Sequence, residues 1–164
     1  FSFGGPTLGC APYLAQTYGV DSLDASAAKL RELVDTADTP DLLFLAHNGP
    51  TGLGDTADAI WGCDFKREMG DFGDPDLRNA IDYAHSVGKR VRAVVAGHMH
   101  HALKDGGQRT WRITQEGVTY VNAARVPRIF EENGQTVRHH IELAVDAESV
   151  TVTAVESTDL PGLL

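Results

Sequence analysis

Three imidazoles fall within four residues at His98-Met99-His100-His101, directly after the glycine that closes an apolar run. Neutral imidazole is the commonest metal-donating side chain, and a closely held pair can serve one ion or two neighbouring ones. His98 and His100 are two positions apart, so in extended geometry both would leave the chain on one face. The run before them, Val91 to Ala96, reads as a buried β-strand, and Gly97 would let the backbone turn where the strand stops. A histidine-rich surface turn would contain the same residues with no function, because a lone His-x-His has little specificity.

A second stretch repeats the pattern. Leu42-Leu43-Phe44-Leu45-Ala46 is another short apolar run, and it ends in His47-Asn48-Gly49-Pro50. A buried strand again stops at a histidine, with Gly and Pro breakers behind it. In open α/β sheets ligands bind outside the carboxyl ends of the strands, so two such strands supply two halves of one pocket. The spacing of about 50 residues, with one helical segment between, suits a βαβ unit.

An apolar strand plus His, then a helix, then a strand plus Gly-His-x-His, resembles the last two motifs of the calcineurin-like metallophosphoesterases. That resemblance implies a four-layer α/β/β/α sandwich, to which this chain would contribute the second sheet and its outer helices. It also implies two divalent metal ions (Mn, Fe, Zn or Mg) a few ångströms apart, with His47 and His98 on one and His100 on the other. The family's earlier motifs, Asp-x-His, Gly-Asp and Gly-Asn-His-Asp/Glu, have no counterpart before His47, since residues 1 to 46 contain no histidine. Gly54-Asp55, Gly70-Asp71 and Gly73-Asp74 come after His47 and read as loop and helix-cap residues. The expectation is one domain over residues 1–164, forming the C-terminal half of a metallophosphoesterase domain. The missing N-terminal half would then hold the remaining ligands, and the chain alone would not turn over. The segment from Trp61-Gly62-Cys63-Asp64-Phe65 to Gly70-Asp71-Phe72-Gly73-Asp74-Pro75 is similar to a branch of the family in cyanobacteria and plants.

Asn122-Ala123-Ala124-Arg125 falls where the family often has an Asn-Pro-Gly-Ser-like turn, and only the Asn matches. Asn48, Asn122 and Arg125 are therefore candidate supports for the site. Arg125 and Arg128 could meet phosphate, with surface salt-bridging as the ordinary role of an arginine.

The 164 residues suffice for one domain with a real core, and 42% hydrophobic with 23% charged content is that of a soluble globular protein. A formal net charge of −9 argues against a general nucleic-acid or anionic-membrane surface. It leaves a phosphorylated substrate open, because divalent cations reverse the sign locally. Cys10 and Cys63 are too few for a disulfide scaffold, which fits a cytoplasmic setting, or a plastid in a plant. Cys63 reads as a structural thiol rather than a soft ligand.

The remaining elements follow in order. Residues 1 to 19, with Gly4-Gly5-Pro6, Gly9, Pro12 and Gly19, read as loop with at most short ordered pieces. A helix over 22–37, capped by Asp21 or Ser22, would bury Leu23, Ala27, Leu30 and Val34. Residues 48 to 73 form a long glycine-rich connection in which Trp61, Phe65 and Phe72 act as anchors with an accessory substrate role. Asp74 caps a second helix with Pro75 at its start, Leu77, Ile81, Ala84 and Val87 on its apolar face, and Gly88 at its stop. His85 lies off that face, in solvent. Residues 110–114 and 118–122 flank a hairpin turn at 115–117, and two more strands run over 136–145 and 149–155. His139 and His140, consecutive on a strand, point to opposite faces and read as surface residues. The tail 160–164 reads as frayed.

The reading is a metal-dependent phosphoric ester hydrolase acting on a phosphorylated small molecule or another phosphoester, whether monoester, diester or nucleotide. Two others stay open: a non-catalytic metal-binding interaction module, and an unrelated mononuclear metallohydrolase.

Overall fold

The computed structural model describes residues 11–66, 68 and 70–158. Gly4-Gly5-Pro6, Cys10 and the tail 160–164 lie outside the described residues. The fold is mixed α/β, with a mixed sheet and a separate antiparallel sheet. In chain order the elements are α1 (Ala11–Tyr18), α2 (Leu23–Thr36), β1 (Asp41–Leu45), α3 (Pro75–Ser86), β2 (Arg90–Ala96), β3 (Arg112–Gln115), β4 (Val118–Asn122), β5 (Ile129–Glu132), β6 (Gln135–Val145) and β7 (Val150–Ser157).

The first sheet has the order β1-β2-β4-β3, with β1, β2 and β4 parallel and β3 antiparallel to β4. Parallel strands need a crossover, and α3 supplies it between β1 and β2. Helices α2 and α3 pack on one face. Val34, Leu77, Ile81 and Ala84 meet Val94, Ala96, Val118 and Tyr120 there, and Trp61 and Phe72 close the cluster from the long loop. On the other face Arg112 donates to the Val152 carbonyl at 3.0 Å, and Arg92 donates to the carbonyls of residues 146, 147 and 149. These arginines tie the second sheet, β5-β6-β7, to the first.

Local chemistry explains the boundaries. Ser22 caps α2, its hydroxyl accepting from the Ala25 amide at 3.2 Å. Two tight hairpin turns, Glu116-Gly117 and Asn133-Gly134, place both central residues at positive φ, as two-residue loops of matching twist require.

Several expectations need correction. Residues 11–18 are helical, because Leu14 and Val20 form a small buried cluster that gives the segment something to pack on. Leu23 and Val87 are exposed, while Ser26 and Ala80 take buried positions. The segment 129–132 is a strand, held by its hairpin to β6. His139 is buried, not on the surface; His140 does point outward, beside Glu142. Asp74 stands at the N-cap of α3, yet its side chain caps nothing. It is buried with one carboxylate oxygen unpartnered.

Burial, and then the neighbouring Asp76 carboxylate, push the Asp74 carboxyl from 3.8 up to about 7, with the Asn48 amide opposing. A group that holds its proton more tightly in the fold stabilises it fully below about 3.8, and that contribution is lost as pH rises toward about 7. Asp74→Asn should therefore match the natural chain near pH 4 and exceed its stability near pH 8 by about 4 kcal/mol, read by urea denaturation. An unchanged pH slope in the variant would place that proton on another group.

Candidate functional site

Both histidine turns lie at the carboxyl ends of adjacent parallel strands. The Gly97 amide donates to the His47 carbonyl at 2.9 Å, and the Ala46 amide donates to the Val95 carbonyl at 3.0 Å, so the turns leave the sheet side by side. His47 Nε2 then lies 3.0 Å from His98 Nδ1, across 51 residues of sequence. Two nitrogens each about 2.1 Å from one ion lie about 3.0 Å apart at a right angle and about 3.4 Å apart in a tetrahedron. The observed separation is that of a hydrogen bond between the two rings, and it also falls within the span of two ligands on one ion.

The backbone is strained to reach this geometry. Gly97 does not take the left-handed conformation; His98 does, with φ of 66°. An L-residue there gives up about 1–2 kcal/mol. Residues 97–101 are thus bent, not extended, and the argument that placed His98 and His100 on one face does not apply. His98 is half-buried and His100 exposed. Burial, then His47, then His100 hold the His98 imidazole below its ordinary value. Among the described residues no three His, Cys, Asp or Glu side chains converge as one ligand group.

The loop around these rings is fixed from several sides. Phe72 stacks on His98 with centroids 5.9 Å apart and planes at 12°. The Trp61 indole N–H donates to the Gly97 carbonyl at 3.2 Å. Its ring lies so close over Gly49 that a Cβ there would fall 2.1 Å from it, which is why only glycine follows His47-Asn48. Trp61 and Phe72 are the expected anchors; Phe65 is the exposed member of the trio. Asp71 pins the same loop, accepting from the Thr51 hydroxyl and from the Gly52 and Gly73 amides. Asn48 donates to the Phe72 carbonyl at 2.7 Å. Asn122 donates to the Met99 and Ile60 carbonyls, so it holds the histidine turn directly. Arg125 pairs with Glu156 and covers the Phe130 ring. Cys63 is a buried structural thiol, and His85 is exposed.

Sequence reasoning missed Arg109. It is buried, donating through Nε to the His100 carbonyl at 2.9 Å and through Nη1 to the carbonyls of Ala57, Ala59 and Gly62. Nη2 lies 3.3 Å from Asp64 Oδ1, a charge contact without hydrogen-bond alignment. His101 was likewise unassigned; its Nε2 lies 2.8 Å from the Asn122 carbonyl, and its ring stacks near Trp111. Nothing in the spacing of either residue announces these contacts, since their partners are backbone carbonyls.

Beside the histidine pair opens a cleft of about 480 Å³. No known protein family, curated protein or solved structure matches the chain. No helix among the described residues is long and apolar enough to cross a membrane.

Removing a buried cation strands the carbonyls it served. Arg109→Ala should lower stability by about 3 kcal/mol in denaturant titration, against at most about 0.5 kcal/mol for the more exposed Arg138→Ala. Equal small losses in both variants would mean that water replaces the Arg109 contacts without cost.

Proposed function

We propose that the chain is the histidine-bearing part of a metal-dependent phosphoric ester hydrolase of calcineurin-like type, with His47 and His98 on one divalent ion and His100 toward a second. The observation that carries this reading is the 3.0 Å approach of His47 Nε2 to His98 Nδ1, made by a histidine held in left-handed backbone. The His98 imidazole, held toward its neutral form by burial, suits metal donation, and Asn122, Trp61 and Arg109 hold the turn that presents it. Metal ions bound there would supply a polarised water and charge neutralisation for in-line attack at phosphorus. The chain's own residues orient the two rings and exclude water from behind them through Phe72 and Trp61.

Three histidines do not complete two metal shells, so this reading draws the remaining carboxylate ligands from residues outside these 164. It places the complementary half of a four-layer sandwich against the free edge of β1, where Leu43 is 52% and Leu45 is 82% exposed. An open strand edge with an exposed apolar face of this kind pairs with other chains when left uncovered. The chain by itself should therefore self-associate in size-exclusion chromatography. Leu43→Lys with Leu45→Lys should shift it toward the monomer; a monomeric parent chain would count against a missing cover.

Metal binding tests the site itself. Calorimetric titration with Mn²⁺ or Zn²⁺ should show His47→Ala and His98→Ala weakening binding by more than about 100-fold. His85→Ala should bind as the parent does. Both ligand variants should keep near-parental stability, because these side chains lie outside the core and leave no cavity. In a polypeptide that also supplies the carboxylates, His98→Ala and His100→Ala should abolish hydrolysis of an aryl phosphate. Undiminished metal binding by His98→Ala would rule out the proposed centre.

A further inference from the structure

The cleft beside the histidine pair differs from the rest of the surface in charge. The chain carries a net −9, yet this wall holds His47, His98, Arg125 and Arg128 and no carboxylate. The rest of the lining that matters here, Val95, Ala123 and Val126, is apolar. Such a cavity selects an anion with an apolar body.

The two arginines are not equivalent. Arg125 is already committed to Glu156 and to the face of Phe130. Arg128 is exposed, and among the described residues its guanidinium has neither an ion pair nor a hydrogen bond. Its backbone, however, is fixed. The Arg128 carbonyl accepts the His139 amide at 2.8 Å, extending the β5–β6 ladder by one rung. A free fork on a fixed backbone is well suited to hold a planar or tetrahedral anion.

The chain path brings Arg128 to the cleft from the segment that abuts the histidine turn. The Ala123 amide donates to the Ala96 carbonyl at 2.7 Å and the His101 amide to the Ala124 carbonyl at 3.3 Å, so residues 123 and 124 abut the histidine turn. Val126 and Pro127 then carry the chain outward to Arg128, which lines the same cleft. A ligand with one phosphoryl group at the imidazoles and an apolar body against Val95, Ala123 and Val126 has Arg128 in the same cleft for a second acidic group.

We propose that Arg128 is an anion anchor, and that the cleft takes an organic phosphate bearing a second acidic group beyond an apolar spacer. The proposal rests on the phosphoester reading of the histidine pair and narrows its substrate class. The second group is a carboxylate or another phosphate, which share the chemistry that a guanidinium recognises.

Three probes decide it: phenyl phosphate, 4-carboxyphenyl phosphate and 1,4-phenylene bisphosphate, each titrated calorimetrically into the chain with and without Mn²⁺. At least one doubly acidic probe should bind about tenfold tighter than phenyl phosphate, and which one gains identifies the second group. Arg128→Gln should erase the difference, and Arg128→Lys should keep part of it. Arg138→Gln should leave it intact; equal loss there would mean a bulk charge effect and would overturn the anchor. Equal affinity of all three probes, or binding of none, would also overturn it. Metal binding that depends on His98, together with no effect of Arg128→Gln, would sink the anchor alone. Discrimination between the probes without metal binding would sink the metal reading and leave the anchor standing.

Discussion

The arrangement of the site depends on one buried amide. Asn122, 0% exposed at the end of β4, donates through Nδ2 to the Ile60 carbonyl at 3.0 Å and to the Met99 carbonyl at 2.7 Å. Its Oδ1 accepts the Ala124 amide at 2.9 Å. Three irregular segments, the long glycine-rich loop, the histidine turn and the arginine-bearing turn, are thereby tied to one strand end. A carboxamide is the side chain that can do this, because it offers two donors and an acceptor in one plane without a charge to desolvate. An aspartate there would face two carbonyls with acceptors only, and a leucine would leave three backbone groups unpaired in the core.

Around that amide the loops are held by backbone carbonyls rather than by side-chain pairs. Arg109 collects four of them, and Trp61 a fifth, the Gly97 carbonyl that immediately precedes His98. A long loop buried without regular structure must still satisfy its polar groups, and a multidentate cation with an indole N–H does so where a strand ladder cannot. The result is a stiff turn, which is what a left-handed histidine needs. His98 would relax to ordinary backbone if its flanking carbonyls were free to move.

The parts of this architecture with a period were legible in the sequence. Two apolar runs ending in histidine identified β1 and β2 and the sheet edge where their turns meet, and Ser22 and Gly88 marked helix ends. Asn133-Gly134, which forms the β5–β6 turn, was passed over in the sequence, because the four-residue strand before it is too short and polar to show alternation. Asp74 misled because an aspartate before Pro75 has the form of a cap, whereas burial beside Asn48 and Asp76 gave it another role. His139 misled for a related reason: alternation says which residues share a face, and only the tertiary packing says which face is covered. Arg109 was illegible in principle, since no residue type marks a carbonyl as a partner.

The distribution of charge carries the argument one step further. Two buried carboxylates lie at the start of α3, where Asp76 accepts from the Ser26 hydroxyl and Asp74 is forced toward its neutral form. Cations and imidazoles line the cleft at the carboxyl ends of the parallel strands, with no carboxylate among them. Those ends also place the Gly97–His98 turn beside His47, so the positive lining and the paired rings face the same opening. Against a net charge of −9, this lining is locally favourable to an anion. Screening at physiological salt confines such a field to about 8 Å, so the local lining, not the total charge, governs what the cleft can hold.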